Sequence, residues 1–349
     1  MNGKEIRDDS SPDSIVSRRT VTVVVVNYNG EQWIRTCLDS LLDDGERAPL
    51  DVRIVVVDNC SSDRSREILD DYHNRILVLK SERNRGFGGG NNWGVALTSS
   101  DLVLLLNTDV KVPTGLIGTL VSELQERGLD AVAAREVPFD GGIPDRERVT
   151  IDPLGFPAFL PDEEGKSSFY LPAACVLITR SAYDRLGGFD ENFFMYVEDV
   201  DFFWRARLLG MKYDFSRHGV IQHAVHGSSG GVGINTRRFL WRNTNQPMML
   251  AKNYSAATLL WVAPLYLLSQ VAEMVGLVVM GQSRAAWTYP RGFVHFLRLW
   301  PRIRVERQRV QHSRVVSDRA ILALMFPGLA KLRSLKVYRS HQADSGSRE

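Results

Sequence analysis

The feature that most constrains the fold is a regular alternation of short apolar runs and amphipathic segments in the first hundred residues. Val21 to Val26 is a β-branched run that predicts a strand, and apolar runs at Arg53 to Val57 and Ile76 to Leu79 predict two more. Between them, Glu31 to Leu42 carries apolar residues at helical spacing, and Gly86 to Leu97 predicts a Gly-rich loop entering a helix. Strands that alternate with helices predict an α/β fold with a mostly parallel sheet and helices on both faces.

Polar residues follow each of these strands. They are Asn27, Asp58, the segment 84–92 and the segment 107–109. Because the carboxyl ends of parallel strands meet at one edge of an open α/β sheet, we expect these residues to line a crevice of nucleotide size.

One of these polar segments closes a fully apolar run. Leu102 to Leu106 has five consecutive apolar residues, which is typical of a central strand buried on both faces. Asn107 and Asp109 follow at alternate positions, so both would face the crevice. A carboxylate there suits a hard divalent cation already held by a diphosphate. An Asx turn that merely ends the strand is the alternative.

A second acidic segment lies further along the chain. Glu198, Asp199 and Asp201 place three carboxylates within four residues, directly after an aromatic run. Neighbouring acids repel one another and are costly to bury without a hydrogen bond, a cation or a shared proton. The pattern indicates a site that needs a base, a metal or a hydroxyl. The alternative is a helix N-terminus stabilised by acids in its first turn.

The Gly-rich segment 85–92 is not a dinucleotide-binding fingerprint. It follows the third strand rather than the first, and Asn91 occupies the sixth position of the pattern. A close backbone approach to a ligand or to a neighbouring helix explains these glycines better.

Five segments in this order carry a resemblance to a known family. They are Val-Val-Asn-Tyr-Asn-Gly (25–30), Val-Val-Asp-Asn-Cys-Ser-Ser-Asp (56–63), Asn-Arg-Gly-Phe-Gly-Gly-Gly-Asn (84–91), Leu-Asn-Thr-Asp (106–109) and the segment 187–201. Together they resemble the inverting family 2 glycosyltransferases of the GT-A fold. The chain is most similar to the rhamnosyltransferase-like bacterial members that use lipid-linked acceptors. The resemblance covers roughly residues 20 to 255.

The resemblance implies roles for the nucleotide-binding residues. Asn27 and Asp58 would hold the base and ribose of a nucleotide-sugar donor. Asn84, Gly86 and Asn91 would shape the wall around that nucleotide.

The resemblance also implies a Mg²⁺ or Mn²⁺ site. Asp109 stands at the metal-binding acid of the family's Asp-any-Asp motif, and Asn107 replaces the first acid, beside the nucleotide. His226 matches a histidine that some members give to the metal. The departing nucleoside diphosphate gathers negative charge, which such an ion would neutralise.

The acidic segment matches the family's Glu-Asp pair, in which the Asp is the general base. Inverting transfer needs one base to take a proton from the acceptor hydroxyl. Asp199 is assigned that role, and Glu198 would bind the acceptor. Asp201 would contact the acceptor or orient the helix. Arg242 is expected to supply a cation to a diphosphate.

The last hundred residues differ in composition. Ser255 to Ala272 has eighteen residues without a charge, long enough to span a bilayer. Pro264, Gln270 and Glu273 argue against a span, so a helical hairpin lying in the membrane interface is an equally good interpretation.

A basic region follows that apolar stretch. From Arg284 to Arg339 the net charge is +11, whereas the whole chain carries only +2. Basic and aromatic residues beside an apolar stretch fit an anionic cytoplasmic leaflet. Nucleic acid is the other partner for such a patch, but no nucleic-acid module is recognisable. A third interpretation is that the apolar stretch is buried in a homodimer interface.

These observations predict four regions. Residues 1–19 and 341–349 are expected to be disordered tails, 20–252 a GT-A domain, and 253–340 a helical membrane-associating region. Three cysteines without motif spacing indicate reduced thiols, and with them a location at the cytoplasmic face of the membrane, peripheral or monotopic.

The predicted function is a metal-dependent inverting glycosyltransferase that acts on a lipid-linked glycan, with dTDP-rhamnose as the donor suggested by the subgroup. The alternatives are a sugar-phosphate nucleotidyltransferase and a non-catalytic membrane-bound subunit that binds sugar nucleotides.

Overall fold

The computed structural model describes residues 19–143, 147–163, 166–224 and 236–331. The predicted tails, apart from Arg19, and His226 lie outside the described residues. The described strands are β1 (Thr20–Asn27), β2 (Asp51–Asp58), β3 (Leu77–Lys80), β4 (Leu102–Asn107), β5 (Val110–Lys111), β6 (Ala131–Val137), β7 (Glu147–Ile151), β8 (Pro157–Pro161), β9 (Cys175–Thr179) and β10 (Tyr213–His223).

The described helices are α1 (Ile34–Arg47), α2 (Ser65–Asp70), α3 (Gly86–Ala96), α4 (Leu116–Glu126), α5 (Arg180–Leu186), α6 (Glu198–Leu208), α7 (Thr236–Asn253), α8 (Ala256–Val279), α9 (Ser283–Ala286), α10 (Thr288–Ser313) and α11 (Asp318–Leu324). The first three described helices alternate with strands, and from α7 onward helices continue alone to the end of the described chain.

Eight strands form one sheet in the order β3-β2-β1-β4-β9-β6-β10-β5. The pairs of β1 with β2 and β4, of β2 with β3 and of β6 with β10 are parallel, whereas β9 and β5 run antiparallel to their neighbours. The predicted mostly parallel sheet is therefore confirmed. Strands β7 and β8 form a separate antiparallel pair.

The sheet is buried on both faces, which explains its uninterrupted apolar strands. Val24, Val103 and Leu105 point into a core that they share with α3, α5, α6 and α7. Val23 and Leu104, at alternating positions of the same strands, point into the opposite core with α1 and α4.

The helices after residue 253 pack on this domain. Tyr254, Val262, Ile303, Val310 and Ile321 belong to the same core as the sheet residues and α6. The predicted boundary at residue 252 thus lies at the end of α7, and the helices beyond it bury apolar residues against the domain. Among the described residues, α8 is the one helix that is long and apolar enough to cross a membrane, by length and composition only.

A buried ionic network joins α6 to α7. The Lys252 ammonium lies 2.6 Å from Asp190 and 2.8 Å from Asp201. Asp201 also accepts hydrogen bonds from Arg205 at 2.9 Å and Asn253 at 2.9 Å. Burial alone would raise the pKa of Asp190, but the Lys252 charge holds it below its ordinary value.

We predict that Lys252→Met destabilises the fold by about 3–5 kcal/mol, because the buried Asp190 carboxylate loses its ion-pair partner and Asp201 keeps only Arg205. Urea unfolding would measure the loss. The Asp190 contribution is present above the ordinary Asp pKa of about 4 and disappears as the pH falls through the lower folded-state value. Wild type and variant should therefore converge in stability at acid pH.

Lys212→Met is the matched control, since the Lys212 side chain is exposed. Equal unfolding midpoints for the two variants would contradict a structural role for the network.

Candidate functional site

A cleft of about 400 Å³ opens at the carboxyl ends of β1 and β4. Its walls come from the loop after β1, the start of α3, the loop before α6 and the first turns of α7. Its lining includes Tyr28, Trp33, Asn59, Asn84, Gly86, Asn107, Asp109, Tyr196, Arg237, Arg238 and Trp241. The cleft is where the sequence predicted a nucleotide crevice.

Asn107 and Asp109 both line this cleft, and so does Thr108 between them, because the chain turns after Asn107 and the alternation of strand faces ends there. Thr108, between them, donates a hydrogen bond from Oγ1 to the Val26 carbonyl at 2.9 Å, which ties this turn to β1. Asp109 is nearly buried, and its Oδ1 lies 3.1 Å from His223 Nε2. The turn thus presents the Asn107 amide and the Asp109 carboxylate to the cleft, and hydrogen bonds hold it in place.

His223 and Glu136 complete a chain of polar contacts that the sequence analysis did not assign. His223 Nδ1 lies 2.6 Å from Glu136 Oε2 while Nε2 faces Asp109. Burial would lower the pKa of His223, but hydrogen bonds to the two carboxylates outweigh it and raise the pKa to about 10. His223 therefore bridges Glu136 and Asp109 and orients the Asp109 carboxylate. His223 is paired in register with Val110, the residue after Asp109, so only the strand pairing reveals it.

Asn27 and Asp58 lie beside the cleft but outside its lining. Both are fully buried, and Asp58 is paired with Arg66 at 2.7 Å. Asn27 Nδ2 donates to Ser61 Oγ at 3.1 Å, while its Oδ1 is buried without a partner among the described residues. The geometry indicates that they support the loops of the cleft rather than reach into it.

The wall predicted around the nucleotide is built from amides. Asn84 Oδ1 accepts hydrogen bonds from Gly86 N at 2.8 Å and from Asn59 Nδ2 at 3.0 Å. Gly86 has a φ of +73°, and a Cβ there would overlap the Phe194 carbonyl, so no other residue fits. Asn91 differs from the prediction: it is buried within α3, donates to the Phe87 carbonyl and lies outside the cleft lining.

Helix α6 begins with the two acids predicted to act on the acceptor. Glu198 is nearly buried, and its Oε2 has no hydrogen-bond partner among the described residues. Burial raises the pKa of Glu198, and the neighbouring Asp199 charge raises it further. Burial also raises the pKa of Asp199; hydrogen bonds from backbone amides oppose this rise, and the Glu136 charge adds to it. Neither carboxylate has a cation partner among the described ion pairs.

The turn before α6 is held in an unusual backbone conformation. Tyr196 and Val197 have φ of +68° and +73°, which β-branched residues such as valine rarely adopt. Asn245 of α7 donates from Nδ2 to the carbonyls of Met195 and Tyr196, each at 2.8 Å. Asn245 is a further residue that sequence reasoning missed, and it fixes the approach of Glu198 and Asp199 to the cleft.

Two predicted acceptor or diphosphate residues are not retained. Asp201 is fully buried and its carboxylate is occupied by Arg205, Lys252 and Asn253, so it orients α6 instead. Arg242 pairs with Glu273 at 3.2 Å and lies outside the cleft lining.

The cations that do line the cleft are Arg237 and Arg238, which the sequence analysis did not assign to the site. The Arg237 guanidinium lies 4.8 Å from the ring centroid of Trp241, and that of Arg238 lies 5.3 Å from Tyr196. Trp241 in turn packs on Phe194 at 5.1 Å.

The donor atoms of the cleft decide whether it could hold a metal ion. Among the described residues, no group of three or more His, Cys, Asp or Glu side chains could hold a metal ion by itself. Asp109 and Asn107 nevertheless offer a carboxylate and an amide oxygen to the cleft. This set fits a hard cation that takes its remaining ligands from a diphosphate and water, as Mg²⁺ commonly does.

Comparison with known proteins agrees with this geometry. Residues 22–187 match the family model described as glycosyl transferase family 2. The low-salt glycan biosynthesis hexosyltransferase Agl10 of Haloferax volcanii is 30% identical over 198 residues, covering 54% of this chain and 61% of that protein. The chain spans less than two thirds of the length of this and the other first-ranked curated relatives.

Solved structures show the same fold at low identity. Residues 1–349 of S. aureus TarS in complex with UDP-GlcNAc align with a TM-score of 0.53 and 18% identity, over 87% of this chain and 88% of that one. The mannosyltransferase PcManGT of Pyrobaculum calidifontis, in complex with GDP-Man and Mn²⁺, aligns with a TM-score of 0.51 and 16% identity, over 85% and 87%. The sheet is therefore GT-A-like, and residues 22–187, just under half of the chain, match the glycosyl transferase family 2 model.

Proposed function

We propose that this chain transfers a sugar, with inversion, from a nucleotide-sugar donor to a lipid-linked glycan acceptor. The observation that carries the proposal is the juxtaposition of a polar cleft at the strand ends with two carboxylates at the start of α6. Glu198 is buried and Asp199 is half-buried, and neither has a cation partner among the described ion pairs. The glycan-biosynthesis role in the name of Agl10 and the nucleotide sugars bound to TarS and PcManGT support it. The rhamnosyl donor rests on the motif resemblance alone.

Asp199 is proposed to take the proton from the acceptor hydroxyl. As that oxygen bonds to the anomeric carbon, the bond from the carbon to the diphosphate breaks and the nucleoside diphosphate leaves. A carboxylate whose pKa is raised by burial is a better base than an ordinary aspartate, provided that it is ionised at the working pH. Glu198, the residue before Asp199, would accept a hydrogen bond from the acceptor.

The donor is proposed to lie in the cleft between the Asn84–Gly86 wall and the Asn107–Asp109 turn. Asn27, Asp58 and Asn91 would hold the surrounding loops rather than touch the nucleotide. Arg237 and Arg238 replace Arg242 as the cations proposed for a diphosphate.

A Mg²⁺ or Mn²⁺ ion would be held by Asp109, with Asn107 beside it, and His226 stays a proposed ligand. When bound, such an ion neutralises charge on the leaving diphosphate. His223, clamped between Glu136 and Asp109, orients the Asp109 carboxylate toward the cleft.

Membrane association is proposed for the C-terminal helices, at the cytoplasmic face and in a peripheral or monotopic manner. Helix α8 exposes Leu260 (82%), Leu268 (67%) and Val279 (81%), and α10 adds exposed Phe293 and Trp300. Large contiguous apolar surfaces of this kind mark membrane or protein interfaces. The surplus of positive charge in the same region favours an anionic lipid surface over a homodimer.

We predict that Asp199→Asn lowers transfer by about 100- to 10,000-fold, because the variant loses the general base. Nucleotide affinity should stay near the wild-type value, since Asp199 lies outside the cleft lining. Single-turnover transfer and calorimetric nucleotide binding would measure the two quantities.

Asp140→Asn is the matched control, because Asp140 is exposed. Since burial raises the pKa of Asp199, wild-type transfer should fall as the pH drops through that raised value, above the ordinary range near 4. Near-normal turnover by Asp199→Asn would refute the assignment.

We predict that Asp109→Ala removes the metal dependence of nucleoside diphosphate binding. In the wild type, EDTA should weaken the binding of UDP, GDP or dTDP, whichever binds best. EDTA removes the ion through which Asp109 is proposed to hold the diphosphate. Calorimetry with Mn²⁺ and with EDTA decides. If both proteins bind with the same affinity and neither responds to EDTA, Asp109 only terminates the strand.

We predict that replacing Leu260, Leu268 and Val279 together with Gln abolishes sedimentation with anionic liposomes, because these side chains supply apolar burial. The wild type should sediment more with anionic than with neutral liposomes, and salt should release part of it. The matched control replaces Leu77, Leu97 and Ile143, which are exposed on the α/β domain. Equal sedimentation of both triple variants would argue against α8 as the membrane contact.

A further inference from the structure

A second groove, of about 620 Å³, runs along α10 outside the cleft. Its lining includes Leu240 of α7 together with Trp287, Arg291, Val294 and Arg298. The four residues at and after the start of α10 are spaced by four, three and four positions, so they share one face of the helix. At 1.5 Å per residue, this face extends about 16 Å from Trp287 to Arg298.

The groove is continuous with the cleft. A smaller cavity between them is lined by Arg237, Leu240, Arg284, Trp287 and Arg291. It shares Arg237 with the cleft and shares Leu240, Trp287 and Arg291 with the groove. One track therefore leads from the cleft to the exposed face of α10.

The charged residues that line the track are all positive. No Asp or Glu lines the groove or the connecting cavity. None of the ion pairs formed among the described residues involves Arg284, Arg291 or Arg298. Other cations of this region do have structural partners: Arg314 pairs with Asp318, and Arg307 donates to the carbonyls of Ala251 and Tyr254. The guanidinium groups of Arg284, Arg291 and Arg298 are thus exposed and available to an anion.

Apolar surface accompanies these cations. Trp287 is 64% exposed, and Val294 and Leu297 are exposed about two and three turns further along. An anion alone would gain nothing from this surface, and an uncharged chain would gain nothing from the arginines. The complementary ligand therefore has a phosphate group joined to an apolar chain.

We propose that this track binds the phosphate group and the apolar chain of the acceptor. The proposal rests on the proposed function, because it assigns the acceptor side of that reaction. The phosphate lies between Arg284 and Arg291, next to the cleft. The chain lies over Leu240 and Val294 and leaves along α10 toward the apolar surface that α8 and α10 expose. The sugar attached to the phosphate then points into the cleft.

The test measures binding of farnesyl diphosphate to the full-length chain by calorimetry in the presence of UDP. Farnesol and inorganic pyrophosphate, which each carry half of the recognised chemistry, should bind at least about 10-fold more weakly. Arg291→Gln should weaken farnesyl diphosphate binding by about 10-fold or more, as expected for a lost charged hydrogen bond. Val294→Asn should weaken farnesyl diphosphate but leave pyrophosphate binding unchanged.

Arg302→Gln is the matched control, since Arg302 is exposed on the same helix and lies outside the groove lining. An equal loss with Arg302→Gln would show attraction to the basic helix in general and would overturn the site. Binding that is insensitive to Arg291→Gln and Val294→Asn would overturn it as well.

Two further measurements separate this proposal from others. If Arg291→Gln lowers sedimentation with anionic liposomes as much as it lowers farnesyl diphosphate binding, the track is a phospholipid contact and the proposal fails. Nucleotide binding by the wild type is measured separately. Its absence would refute the proposed transferase, whereas the farnesyl diphosphate measurements would still test the groove.

Discussion

The arrangement of the site depends on one buried ionic network. Lys252 of α7 lies between Asp190, in the loop before α6, and Asp201, within α6, and Arg205 and Asn253 occupy the rest of Asp201. This network holds three parts of the chain together. The two acids of the site occupy the first turn of the same helix, and Asn245 of α7 holds the strained turn that leads into it. Two sets of contacts therefore fix the position of Asp199. The ion pairs of Lys252 hold α6 against α7, and the hydrogen bonds from Asn245 hold the turn that precedes α6.

Neighbouring carboxylates on α6 have opposite environments. Asp201 is surrounded by cations and amides, whereas the buried Glu198 and the half-buried Asp199 have no cation partner among the described ion pairs, and desolvation raises the pKa of both. Asp201 is therefore part of the ionic network between α6 and α7, whereas Glu198 and Asp199 are the two acids proposed to act on the acceptor. The Glu136 charge, which affects both His223 and Asp199, links the side of the cleft that holds Asp109 to the side proposed to hold the acceptor.

The strands and the sheet were predictable because apolar runs buried on both faces leave a direct sequence signal. Asn107 and Asp109 were predictable for the same reason, since they follow such a run. The His223–Glu136 pair was not, because it depends on the register of β10 with its neighbours. The role of Asp201 and the choice of Arg237 and Arg238 over Arg242 depend on helix packing between residues far apart in sequence. No spacing rule reports such packing.

The most direct test of the account is a donor-hydrolysis screen of the full-length protein over a panel of nucleotide sugars, with Mn²⁺, Mg²⁺ or EDTA. The account predicts that one class of donor is hydrolysed, that a divalent cation is required, and that the nucleoside diphosphate is released with the free sugar. Release of a nucleoside monophosphate, or exchange of pyrophosphate into the donor, would indicate a nucleotidyltransferase and contradict the account. Binding of sugar nucleotides without turnover, even when a lipid diphosphate sugar is supplied, would indicate a non-catalytic subunit.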